Sequence, residues 1–506
     1  MTLALLAAPA VARSPWIDPG DRLIRHDVEL LKAYGLIDGP ITTWPISWKH
    51  VERSLAAIQD RTRLPAHVQA AIARLTAQSI GEVAPDAAEA YLQLQLTNEE
   101  RLVRDFSGGA RDEVDARVIL DKLFERGYLR VSVGYREDEA DDDINFDGTV
   151  AGLTLGNWLI FAGFQDQWFG PGFDSALILS TNARPAPRLS LQRLDPKRID
   201  FPVLRWLGPL QVNFTAALGE SGRDDFDTPA LFWTRFSFEP LQGFQIGVSR
   251  GLMLCGQGRV CNAESFGRAF VTVADFIFQV GGDLDNTGEV LTDPGNQVAG
   301  LDFRYTGYAG AVSYTGYAEI ASEDSSGPVA IGDVSITLGA SLGGYWKRRQ
   351  LNWTLRGEAS DTQSNRFFGI NAPGQPGSAN QNFIFTDGYS FRDRFIGPSI
   401  GGDGRLYTGE FSVVDADSRL YFARYRHVVL NATGLTPTPT TFDRIAFNTL
   451  ASDTPERINM LEFGLLLPPS RFGRFFFEGR VMDDQANTPG RDDFGGAVEL
   501  GWTFRF

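Results

Sequence analysis

Beyond about Ala87 the chain alternates apolar and polar residues with a period of two, the mark of strands that are apolar on one face only. At the carboxy terminus Val498, Leu500, Trp502, Phe504 and Phe506 share one face, while Ala497, Glu499, Gly501, Thr503 and Arg505 share the other. The division recurs at Leu129, Val131, Val133 and Tyr135, at Leu210, Val212, Phe214 and Leu218, at Leu351, Trp353 and Leu355, and at Phe475, Phe477 and Val481. These runs reach about ten residues, against the five or six typical of a soluble sandwich, and their polar faces gather Arg and Glu. They predict a mainly β chain folded as a transmembrane antiparallel β-barrel, lipid outside and a polar lumen inside.

Upstream the period changes. Leu23, His26, Leu30, Leu31 and Tyr34 fall at three- and four-residue spacing until Gly35 and Pro40, and the stretches from Trp48 to Ile58 and from Pro65 to Ile80 repeat it. A small N-terminal helical domain over residues 19–86 is expected, ahead of a barrel over residues 87–506. Counted back from Phe506, short and long links alternate, as a barrel with short turns at one end requires. Keeping that parity makes Phe270 to Val280 a helix inside the long link Gly251 to Gly300, with Phe266, Phe270, Val273 and Ile277 on one stripe. The count reaches about eighteen strands, with one, two or three between Ser175 and Trp206. The terminal Phe506 resembles the last-strand signature of bacterial outer-membrane barrels.

Thr2 to Ala12 ends Ala-Val-Ala, a small-x-small pattern that predicts a truncated signal peptide over residues 1–12. Cys255 and Cys261, the only cysteines, flank a Gly-rich loop and are expected to form a disulfide in an oxidising compartment. No run of eighteen apolar residues exists for a helical span. The net charge of −16 argues against nucleic acid as a partner, because no cationic surplus is available to displace counterions. Arg dominates the 47 cations, which suits charges held in networks with carboxylates, although a GC-rich genome gives the same bias.

Catalytic constellations are poor. The four histidines, His26, His50, His67 and His427, show no metal-ligand spacing, and a Ser-His pair for lipolysis would have to use His427, in its simplest version with Ser180. Asp143 to Gly148 resembles the front of a calcium loop, but its twelfth position is Thr154 rather than a bidentate Glu, so a solvated acidic loop is expected. No enzyme activity, cofactor or metal is expected. The sharpest local sequence runs from Gly156 to Pro185, where Gln165, Asp166, Gln167, Trp168 and Phe169 precede Gly170-Pro171-Gly172, and Asn182 and Arg184 follow. An aromatic face that stacks on a sugar ring, beside amides and guanidinium groups for its hydroxyls, describes a glycan site; an aromatic-girdle residue with structural polar partners fits the same residues.

The run Asn157 to Pro185, with Asp21 to Asp27, Trp44-Pro45 and the Cys255 to Cys261 loop, resembles the Wzi family of capsule-assembly outer-membrane proteins across nearly the whole chain. The family's Trp-Trp-Gly-Pro pattern stands here as Trp168-Phe169-Gly170-Pro171, one indole fewer. The resemblance implies an eighteen-strand barrel with a periplasmic helical bundle at its base, acting as a surface lectin for capsular or exopolysaccharide. Outer-membrane lipid, lipopolysaccharide and polysaccharide export machinery are the further expected partners. Arg392 and Arg394, in the long link Ala359 to Gly404, are candidate contacts for an acidic polymer. A porin or substrate channel shares every barrel feature and is the alternative.

Overall fold

The computed structural model describes residues 14–79, 88–137, 143–202, 204–259, 261–262, 295–323, 333–371, 376–382, 385–435, 451–452, 454–484 and 494–506. The leader expected over residues 1–12 and the helix expected at Phe270 to Val280 lie outside them.

The alternating segments pair into one closed antiparallel barrel. Its strands are β1 Ala88–Thr97, β2 Val114–Leu123, β3 Gly127–Arg136, β4 Val150–Leu155, β5 Trp158–Gly163, β6 Arg188–Arg193, β7 Leu210–Leu218, β8 Ala230–Leu241 and β9 Phe244–Leu254. The second half comprises β10 Asn296–Ala309, β11 Val312–Glu323, β12 Val334–Trp346, β13 Leu351–Ser364, β14 Arg405–Val414, β15 Leu420–Leu430, β16 Glu456–Leu466, β17 Arg474–Asp484 and β18 Phe494–Arg505. A short piece, Ile144–Asn145, pairs with β3 alongside β4 and belongs to the same strand, so the barrel has eighteen strands. β18 pairs with β1 and closes the wall, which leaves no sheet edge unpaired in hydrocarbon.

Burial follows the alternation. Leu129, Val131, Val133, Tyr135, Leu355, Phe477, Val481 and Val498 face outward and are exposed, whereas Arg136, Glu478, Arg480 and Glu499 on the opposite faces are buried in the lumen. Leu210 and Val212 depart from this pattern: they are buried where the link 194–209 folds against the outer wall and Trp206 meets Phe238 edge-on at 5.9 Å. That link follows β6, the one strand found between Ser175 and Trp206. Elsewhere the links 242–243, 310–311, 347–350, 415–419 and 467–473 are short, and the links at the opposite end are long.

Three helices, α1 Arg22–Ala33, α2 Trp48–Ala56 and α3 Ala66–Gln78, occupy the short-turn end of the lumen. Asp21 caps α1, its carboxylate accepting from the Leu23 and Ile24 amides at 2.9 Å. Burial alone would raise that carboxyl, but the Arg474 charge and hydrogen bonds hold it below the usual value. The apolar stripe of α1, including Val28 and Leu31, packs on Val51, Val68, Ile72 and Leu75. The polar side of α1 is buried too, because it meets the barrel: Arg22 bonds Glu410, Lys32 Nζ reaches Glu239 at 2.6 Å, and Asn352 Nδ2 lies 2.9 Å from His26 Nε2. Helices and barrel therefore share one core, which also takes in Trp168 and Phe173.

Candidate functional site

Two links from the long-loop end turn into the lumen and meet the helices there. After β5 the backbone leaves the wall at Gly163, whose φ of +143° and absence of a side chain are both needed, since a Cβ would lie 2.1 Å from the Thr149 carbonyl. The chain then reaches the N-terminal segment, where Trp168 and Phe169 pair antiparallel with Trp44 and Thr43. Three successive amides of this link, from Phe173, Asp174 and Ser175, donate to the Glu358 carboxylate at 2.7, 2.9 and 2.9 Å, and the Leu177 amide donates to Glu319 at 3.0 Å. Lumen carboxylates on β13 and β11 thus anchor a descending loop by its backbone.

The second link, 98–113, brings in charge. Arg101 bonds Glu499 at 2.7 Å and Glu478 at 3.1 Å, and Asp105 lies against Arg424, Arg426 and, at 3.6 Å, Arg22. Glu462 and Asp174 complete the network around the two β15 arginines. Burial opposes ionisation of Asp105, yet the guanidinium groups of Arg424, Arg426 and Arg22 hold its carboxyl well below the usual range. Phe106 fills the space beside these charges, with ring centroids 4.8 Å from Trp44 and 5.6 Å from Trp168.

This packing corrects the sugar-stacking reading of the Gly156 to Pro185 run. Trp168 and Phe169 are 0% exposed, and the Trp168 Nε1 donates to the Gly172 carbonyl at 3.1 Å, so neither ring has a face open to a ligand. Gln165 donates to Asp18 at 2.7 Å, Gln167 accepts from Arg188 of β6 at 3.1 Å, and Asn182 donates to the Phe395 carbonyl at 2.8 Å; all three are buried and fasten the inward link to its neighbours. A tight turn was readable in the sequence, but the direction in which it folds was not.

The other expected contacts remain partly accessible, toward the long-loop end. Arg184 Nε pairs with Asp147 at 3.1 Å, Arg394 with Glu100 at 2.5 Å, and Arg392 sits 5.8 Å from the Phe391 ring. Asp166 lies 3.9 Å from Arg111. Asp166 and Arg184 line a cavity of about 10 Å³ with Arg188, Trp233, Phe391 and Ile396, room for about one water.

Asp147 is ion-paired to Arg136 and Arg184 rather than solvated, and no group of three metal-ligating side chains occurs among the described residues. His427 faces outward, its Nδ1 2.9 Å from Asn459 Oδ1, while Ser180 is buried in the plug and donates to the Gly397 carbonyl at 2.6 Å; the structure does not bring them together. Cys255 and Cys261 are joined by a disulfide. The residues that sequence reasoning missed are the plug's ionic partners, Arg22, Asp105, Asp174 and Glu462. Their only sequence signal is charge at inward strand positions, answered by charge in distant loops.

The sequence profile of the family described as Capsule assembly protein Wzi matches residues 89–471. The chain belongs to the Wzi family. An uncharacterized 55.8 kDa protein in the cps region of Klebsiella pneumoniae is 28% identical over 451 residues, which cover 85% of this chain and 81% of that one. Wzi of Escherichia coli, described as a carbohydrate-binding β-barrel involved in group 1 capsule assembly, superposes with a TM-score of 0.76 at 19% identity, covering 96% of this chain and 99% of that one. The likeness to the Escherichia coli Wzi barrel is one of fold, and it extends to the helices that enter the lumen.

Proposed function

We propose that this Wzi-family chain is an outer-membrane lectin that binds capsular or exopolysaccharide and anchors it at the cell surface during capsule assembly. The observation that supports binding over transport is the filled lumen: α1, α2, α3 and two inward-folded links occupy it, and buried ion pairs tie α1 and both links to the wall. Such a barrel works from its surface rather than through its bore. The carbohydrate binding described for the Escherichia coli relative supports the same reading.

Asp166, Arg184, Arg392 and Arg394 are the proposed polysaccharide contacts, with lipopolysaccharide around the barrel and export machinery as neighbours. Each contact is weak, and a repeating polymer engages many copies at once, so retention arises from avidity. No turnover is proposed. In planar bilayers the purified protein is expected to show no steady conductance while binding polysaccharide from its own cells, and deleting its gene is expected to release capsule into the medium. A steady open pore with no polysaccharide bound would replace this reading with the porin one.

A further inference from the structure

In a chain of net charge −16, the short-turn end of the barrel carries a run of cations. The link 347–350 holds Lys347, Arg348 and Arg349, all exposed and without a carboxylate partner among the described residues. The short links 124–126 and 467–473 add Arg126 and Arg471 against the single acid Glu125. The link 194–209 adds exposed Arg198 and Lys197, the latter 3.3 Å from Asp195, while its Asp200 is paired with Arg205 at 2.8 Å. Only the link 415–419 is acidic, and there Arg419 lies 3.6 Å from Asp415 and 3.1 Å from Asp417.

Each basic site adjoins an exposed aromatic ring. Trp346, immediately before Lys347, is 45% exposed and lies 6.2 Å from Trp353. Arg471 sits over Phe472 at 4.6 Å, and Lys122 over Phe124 at 4.9 Å. Phe201 and Trp206 project from the link that carries Lys197 and Arg198. These sites are spread around the circumference, after β2, β6, β12 and β16.

We infer that the short-turn rim is a collar that binds the anionic headgroups of glycerophospholipids in the facing leaflet. Exposed aromatics at a barrel end mark the membrane interface. Lys347, Arg348 and Arg349 follow Trp346 by one to three residues, Arg126 follows Phe124 by two and Arg471 directly precedes Phe472, so at about 3.3 Å per residue these cations stand at phosphate depth. Each Lys or Arg near an anionic lipid surface contributes roughly fivefold in binding, the equivalent of about 1 kcal/mol. The same charges have no use for the neutral hydrocarbon belt beside them. The inference does not depend on the lectin reading, since it concerns the opposite end of the barrel.

The test uses the full-length protein in detergent, with dioleoylphosphatidylglycerol or dioleoylphosphatidylcholine added, and native mass spectrometry to count retained lipid. Wild type is expected to retain phosphatidylglycerol at least fivefold more strongly than phosphatidylcholine. The triple variant Lys347→Gln, Arg348→Gln, Arg349→Gln, confined to an exposed turn, is expected to lose most of that preference. Arg457→Gln, an exposed change toward the opposite end of the wall, is expected to keep it. Equal retention of the two lipids by wild type, or undiminished preference in the triple variant, overturns the inference.

Discussion

Three histidines in the plug make its attachment acid-sensitive. Burial, reinforced by the Arg74 charge, depresses His26 to about 3; burial depresses His50 and His67 to about 4. Their folded values lie below the ordinary 6.5, so the stabilisation is complete above about pH 6.5 and is lost as pH falls toward the folded values. Roughly 1 kcal/mol per pH unit for each fully buried histidine is at stake. Hydrogen-exchange protection over residues 22–78, taken relative to the intrinsic rate at each pH, should fall between pH 6.5 and 4.5 while that of the barrel strands holds; equal protection at both would refute this. Asp105 poses the complementary case. Asp105→Ala leaves Arg424 and Arg426 a carboxylate short in a dry site, and a loss of about 3 kcal/mol in plug stability is expected. Protease nicking of the helical segment would report it. The charged partners of Asp105 are not legible locally, since Arg424 and Arg426 lie more than three hundred positions away.

At the scale of the element, the strands were legible because each carries its own instruction: an outward face that must be apolar and an inward face that must be polar. The helices carried their 3.6-residue period equally well. Val498, 68% exposed on β18, states the rule for a strand. Val498→Arg puts a charge into hydrocarbon and should cost roughly 2–4 kcal/mol in a bilayer refolding titration, depending on depth. A Thr503→Ser change near the strand's end should cost under 0.5 kcal/mol, the ordinary scale of a surface substitution. The links were another matter. Their lengths alternated as expected, but the run around Trp168 obeys no period, and its inward course depends on amide groups finding Glu358 and Glu319 across the lumen.

For the whole molecule, the plug decides whether the barrel is a pore. A variant lacking residues 22–78 would lose Arg22, Lys32 and Arg74 together with the core around Trp168, so the lumen should open and conduct in planar bilayers where the intact chain is silent. Silence from a correctly folded truncated barrel would show that the two inward links seal it alone. The sequence by itself determined the barrel, its approximate strand number, the helical segment and the alternation of link lengths, because a membrane wall imposes a periodic demand on every residue in it. Only the tertiary structure decided that the helices lie inside the barrel, that Trp168 and Phe169 pack there, and that scattered cations form a rim. Those outcomes depend on which distant groups approach across the lumen or around the wall, and no local period encodes a meeting between residues hundreds of positions apart.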